Sequence, residues 1–171
     1  MKLNNINQIE KILGIKFSNK ILLEQAFTHK SKSINIGRNN ERLEFLGDRV
    51  LGLVIADYLN DKYPKDSEGV LDKKLASLVN KETCSKTISN LKIDQFLNLS
   101  IAQKKNKAGN RKILGDLCES IIGAVFLDKG FDQTKKFILK IWKENLKNTS
   151  SVIIDPKTKL QEYSLKLYKK L

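Results

Sequence analysis

The chain has 171 residues, 40% of them hydrophobic, which suits one domain with an appendage and excludes disorder throughout. Thirty-two Lys and Arg against nineteen Asp and Glu leave a formal net charge of +13, which favours a polyanionic partner, most simply nucleic acid, over an anionic membrane surface. No apolar run approaches the roughly 18 residues of a membrane span, and MKLNNINQIEKILGIKF has no continuous apolar stretch before a small-residue cleavage site, so a cytoplasmic protein with no membrane partner is expected.

In chain order, Ile6, Ile9 and Leu13, then Ile21, Leu22 and Ala26, predict two short helices separated by residues 14–19. SKSINIGRNN (31–40) reads as a polar loop that delivers the chain to Glu41, with Asn39 or Asn40 as N-cap. Apolar positions of helical period run from Leu46 through Val50, Leu53, Val54 and Tyr58 until Tyr63-Pro64 stops the helix. Asp66, Ser67 and Glu68 can cap a further helix expected to continue to about Thr83, and another follows from Lys86 to Leu91. The segment AQKKNKAGNRK carries Lys104, Lys105, Lys107, Arg111 and Lys112 with no acid, and reads as an exposed basic loop able to meet phosphate. Ile113 to Leu127 is the most apolar stretch and predicts a central helix ending near Asp128-Lys129-Gly130, followed by an amphipathic helix from Phe131 to Leu146. Residues 149–156 read as a linker and Lys157 to Leu171 as a Lys-rich helix. No period-two pattern persists beyond a few residues, so the fold class is all-α. Cys84 and Cys118 sit in helical segments and are expected as buried free thiols.

Two acidic clusters stand out in so basic a chain: Glu41, Glu44 and Asp48 in NERLEFLGD, and Asp116 and Glu119 in GDLCES. At about 100° per residue each cluster spans an arc of about 60° on a helix, so each is a stripe. Helices packed side by side would bring the stripes into one pocket of mutually repelling oxygens, which a hard cation such as Mg²⁺ resolves. A single acidic pair at i, i+3 is ordinarily a solvated helix face, but here Leu43, Phe45, Leu46, Val50 and Leu51 surround the first stripe and Leu117, Ile121, Ile122, Val125 and Phe126 follow the second. The stripes are therefore expected at the edge of a packed interior.

LLEQAFTHKS (22–31), NERLEFLGDRVL (40–51), EGVLDKKLASLV (68–79) and ILGDLCESIIGAVFLDKGF (113–131) together resemble the ribonuclease III family. The resemblance covers most of residues 20–131, and NERLEFLGD with GDLCES downstream is its most specific part. It implies an all-α endonuclease-domain bundle over residues 1–148 that works as a homodimer. It also implies hydrolysis of double-stranded RNA with Mg²⁺, leaving 5′-phosphate and 3′-hydroxyl ends with two-nucleotide 3′ overhangs, and processing of ribosomal RNA precursors and other structured RNAs. Mn²⁺ is the expected substitute metal, and no small-molecule cofactor is implied.

Carried over position by position, Glu44, Asp48, Asp116 and Glu119 match the family's metal-binding and catalytic carboxylates, with Asp48 and Glu119 as the catalytic pair. Glu41 and Glu68 match supporting acids. Lys105, Lys107, Arg111 and Lys112 are the candidates for RNA contact, Asn40 for capping the site helix, and His29 for a structural hydrogen-bonding role. AGNRKILGD is shorter than the usual family segment and lacks its Ser or Thr, and Gly115 stands where Ala is more common, at a cost in helix propensity. DPKTKLQEYSLKLYKKL resembles the first helix of a double-stranded RNA-binding domain, incomplete over residues 157–171. Apolar positions flanking Phe45 and Leu46 exceed what one helix needs and suggest an isologous interface. The alternative function is a non-catalytic RNA-binding or ribosome-associated protein of the same fold, which has no reason to retain five converging acids.

Overall fold

The computed structural model describes residues 3–105, 110–147 and 164, so the linker and C-terminal helix expected at 149–171 lie, but for that one residue, outside the described part. Among the described residues the regular structure is helical: α1 (Leu3–Leu13), α2 (Lys20–Ala26), α3 (Glu41–Lys62), α4 (Glu68–Val79), α5 (Lys81–Leu91), α6 (Ile101–Lys105), α7 (Asn110–Ile141) and α8 (Lys143–Lys147). The all-α class holds; the one β feature among these residues is an isolated bridge between Thr28 and Asn98.

The core forms around α3 and α7, which cross closely, with α5 and α2 packed on α7 and α4 on α3. Leu51 and Ile55 of α3, Leu117 and Ile121 of α7, Ile88 of α5 and Trp142 are fully buried there. Glycines set the closeness of the central crossing. A Cβ on Gly47 would overlap the backbone carbonyl of Glu119 and lie 2.8 Å from the amide nitrogen of Gly123, and one on Gly123 would overlap the carbonyl of Leu43. Each glycine costs about 1 kcal/mol of helix propensity relative to Ala, offset here by backbone-to-backbone approach of the two helices. Two residues of the α3 stripe are thereby brought within a helix turn of the contact.

α7 is bent rather than straight. Gly130 has φ 76° and ψ −179°, and this interruption stands where the sequence predicts a helix end. The carboxylate of Asp128, just before it, accepts the backbone N–H groups of Ser18 at 2.9 Å and Asn19 at 2.7 Å, tying the entry to α2 to the bend. Asn19 in turn caps α2, its side chain accepting from Ile21 N at 3.0 Å. The indole N–H of Trp142 donates to the carbonyl of Leu78 at 3.0 Å, which anchors the end of α4.

Two expectations change. The helix predicted to run on to Thr83 stops at Val79, because Asn80 takes an extended conformation (φ −69°, ψ 159°) and its side chain accepts the amide of Thr83 at 2.8 Å. Asn competes with the helix in this way and starts a new one, so α5 begins at Lys81. The basic loop is also partly helical, since α6 ends at Lys105 and α7 already begins at Asn110. Cys84 and Cys118 are buried free thiols, as expected. Among the described residues no helix is long and apolar enough to cross a membrane.

Candidate active site

The loop before α3 sets where the first stripe begins. Asn39 is the residue whose side chain caps the helix, accepting Glu41 N at 3.1 Å, while Asn40 contributes its carbonyl to Glu44 N at 2.8 Å. Asn40 is buried, and its side-chain N–H₂ has no partner among the described residues. Glu41 and Glu44 thus occupy the first turn of α3, where the helix dipole favours anions. His29 is buried beneath this loop with its Nδ1 accepting the amide of Ser31 at 3.1 Å, the structural role anticipated for it, and burial pushes its pKa below the ordinary 6.5.

Across the glycine crossing, α7 presents Asp116 and Glu119 one turn apart, each only 3% exposed. One carboxylate oxygen from each of Glu44, Asp116 and Glu119 lies within 4.8 Å of the others. The ammonium of Lys81, the first residue of α5, sits among them: it donates to Asp116 at 2.5 Å, to Glu119 at 2.7 Å and to Glu44 at 3.3 Å. Burial alone would lower the lysine's pKa, but the hydrogen bonds to Asp116 and Glu119 and their charges hold it well above the ordinary range. Burial also raises Glu119 and Glu44 above the usual Glu value, with Lys81 opposing and like charges adding to the rise.

The remaining predicted acids occupy the surroundings. Asp48 lies one turn beyond Glu44, outside the converging set among the described residues, and pairs with the neighbouring Arg49. The guanidinium of Arg49 lies 5.1 Å from the centroid of the Phe45 ring. Glu41 is held by Lys30 at 3.3 Å. Lys30, Glu41, Glu44, Phe45, Asp48, Arg49, Lys81 and Glu119 line one open cleft of about 420 Å³. Glu68 is exposed at the start of α4 and is not among those lining residues. Arg111 and Lys112 are exposed on the first turn of α7, five and four residues before Asp116; Lys105 closes α6, and Lys107 lies outside the described residues.

Three carboxylate oxygens converging from two rigid helices form a hard, anionic donor set of the kind that holds Mg²⁺ or Mn²⁺. A cationic head group already stands at their centre, so the pocket accommodates positive charge. Sequence reasoning missed Lys81. It lies 35 residues before Asp116, and no local spacing rule connects them; the signal available was the helix start after Asn80 and the electrostatic need for a counter-charge. Gly115 acquires a reason at the same time, because a Cβ there would stand 2.8 Å from Lys81 Cδ and 3.2 Å from its carbonyl oxygen.

A family model described as ribonuclease-III-like matches residues 19–145. Ribonuclease 3 of Pelagibacter ubique is 49% identical over 174 aligned residues, spanning 100% of this chain and 76% of that protein. Among solved structures, the nuclease domain of ribonuclease III from Campylobacter jejuni, a protein with structural flexibility in a region involved in dimer formation, is 42% identical with a TM-score of 0.76, covering 82% of this chain and 97% of that one. Dicer from Pichia stipitis is 27% identical with a TM-score of 0.61, covering 81% of this chain and 61% of that chain. The converging carboxylates thus stand on the scaffold of a known nuclease, and the chain belongs to the ribonuclease-III-like family as an endoribonuclease of the ribonuclease III type.

Proposed function

We propose that the chain hydrolyses double-stranded RNA as a homodimer in the cytoplasm, using Mg²⁺, or Mn²⁺ in its place, held by Glu44, Asp116 and Glu119. The observation that carries this reading is the meeting of those three carboxylates, two of them lining an open cleft, in a chain of net charge +13. A ring of acids repels RNA on its own, whereas the surrounding cations draw the phosphate backbone in. When bound, the metal lowers the pKa of a water and stabilises charge on the phosphate oxygens. The chain's own residues then divide the work. Glu119 and Asp116, fixed on α7, orient the site; Asp48 at the cleft wall completes it once released from Arg49. Glu41 and Glu68 support from the periphery, and Lys30 and Arg49, with Arg111 and Lys112 on α7, meet backbone phosphates.

The dimer is supported by an apolar surface beside the cleft. Phe45 is 66% exposed, with Leu53 and Leu127 also exposed, and a cavity of about 710 Å³ opens between Gln25, Gly37, Arg42, Leu46 and Leu127. A second copy related by a two-fold axis would place each Phe45 in the other's cavity and give two clefts, one per strand of a duplex. Products are staggered, with 5′-phosphate and 3′-hydroxyl ends and two-nucleotide 3′ overhangs, and precursors of ribosomal RNA and other structured RNAs are the natural substrates.

Incubating a long perfect RNA duplex with the purified chain, with Mg²⁺ or with EDTA, and mapping the product ends tests the reading. Staggered cuts with Mg²⁺ alone are expected, and Glu119→Gln should lower the rate at least about a hundredfold while leaving the thermal transition in place. Duplex that is bound but uncut would instead favour a non-catalytic RNA-binding role.

A further inference from the structure

Lys81 has no part in the reading above, yet its ammonium touches all three converging carboxylates. Its ammonium is 2.5 Å from Asp116 and 2.7 Å from Glu119, two carboxylates that are almost wholly buried, while its own side chain is 41% exposed. The head group therefore reaches inward from an open position, with a path back to solvent along the cleft. Gly115 leaves room for that inward position, since a Cβ there would stand 2.8 Å from Lys81 Cδ. The same oxygens that receive the ammonium are the ones that form the converging donor set. The two cations cannot both occupy the centre.

We propose that Lys81 is a displaceable internal counter-ion: in the metal-free protein its ammonium holds Glu44, Asp116 and Glu119 convergent, and it withdraws along the cleft when a divalent cation binds. This rests on the reading of those carboxylates as a metal centre. Lys81 is a positioning residue, acting through the carboxylates it holds. Its presence lowers the cost of keeping three acids together before metal arrives, and it weakens metal binding by competition, because three charge-assisted hydrogen bonds must be given up. The site is thereby preformed yet readily reversible.

Calorimetric titration of the full chain with MnCl₂ alone at pH 8, without RNA, tests this on wild type and Lys81→Met, which keeps the side chain's length and removes its charge. The variant is expected to bind Mn²⁺ about tenfold more tightly and, free of metal, to melt several degrees lower. Gly115→Ala, which crowds Lys81 while preserving every charge, should shift affinity in the same direction by a smaller factor. Wild-type protein gives a readout that depends on no variant: acylation of Lys81, followed by mass spectrometry, should become several-fold faster when Mn²⁺ saturates the site. Unchanged or weaker Mn²⁺ binding by Lys81→Met, or a labelling rate indifferent to metal, would overturn the proposal while leaving the metal centre intact. If the wild type itself binds no Mn²⁺, the metal reading fails first and takes this inference with it.

Discussion

Glu44 and Glu119 are held above the ordinary Glu pKa by burial first and then by neighbouring carboxylates, Asp116 in both cases, and this has consequences in two directions. For a carboxyl group raised on folding, the folded state takes up its proton more readily than the unfolded one. Its contribution to stability is present at low pH and is lost as pH rises from the ordinary value near 4.5 through the raised folded value. Metal binding has the opposite sign, because it needs the ionised form. The melting temperature gained on adding Mg²⁺ should therefore be small at pH 5 and grow towards pH 8. A calorimetric melting series with and without Mg²⁺ checks this, and a gain that shrinks with rising pH would contradict it. At this scale the sequence is informative about residue type: both acidic stripes are visible in NERLEFLGD and GDLCES. It is silent about Lys81, whose contacts with Asp116 and Glu119 span 35 and 38 residues and are made only after α5 has docked on α7.

At the scale of elements, the α3–α7 crossing determines whether the stripes meet. Gly47→Ala would drive a methyl group into the backbone of Glu119, which, unlike a flexible side chain, cannot step aside. The helices would have to separate, and a loss of about 3 kcal/mol or more in unfolding free energy is expected, with activity falling further because Glu119 moves with its carbonyl. Denaturant unfolding beside a cleavage assay measures both. Gly52, on the same helix with open space around it, is the control: Gly52→Ala should be neutral or slightly stabilising. Both glycines of the crossing are plain in the sequence, in FLGD and IIGAV, as helix-interior glycines that propensity disfavours. Periodicity also located α3 and the bend at Gly130. It ran α4 past its end because Asn80 fits a helical register; only the capping bond to Thr83 shows the break. The short α6 was missed for a related reason, since a Lys-rich segment with little apolar surface gives periodicity nothing to detect.

For the whole molecule, the exposed apolar surface around Phe45 and the net charge of +13 address different partners. Phe45→Glu places a charge on the surface assigned to a second copy, so sedimentation at micromolar concentration should report a dimer for the wild type and a monomer for the variant. A wild-type monomer would remove the isologous interface from the account. The fold class was legible because no segment alternates with period two, and the family because four motifs follow one another in order. The proposed assembly has only one trace in the sequence, an excess of apolar residues on one helix.

Anomalous diffraction from crystals soaked in Mn²⁺ tests the central claim most directly, that three carboxylates from two crossing helices form the metal centre of a ribonuclease. A peak within coordination distance of Glu44, Asp116 and Glu119, with Lys81 turned away, is the predicted result. A peak elsewhere in the cleft, or none in protein that still cleaves duplex RNA with Mn²⁺, would contradict it.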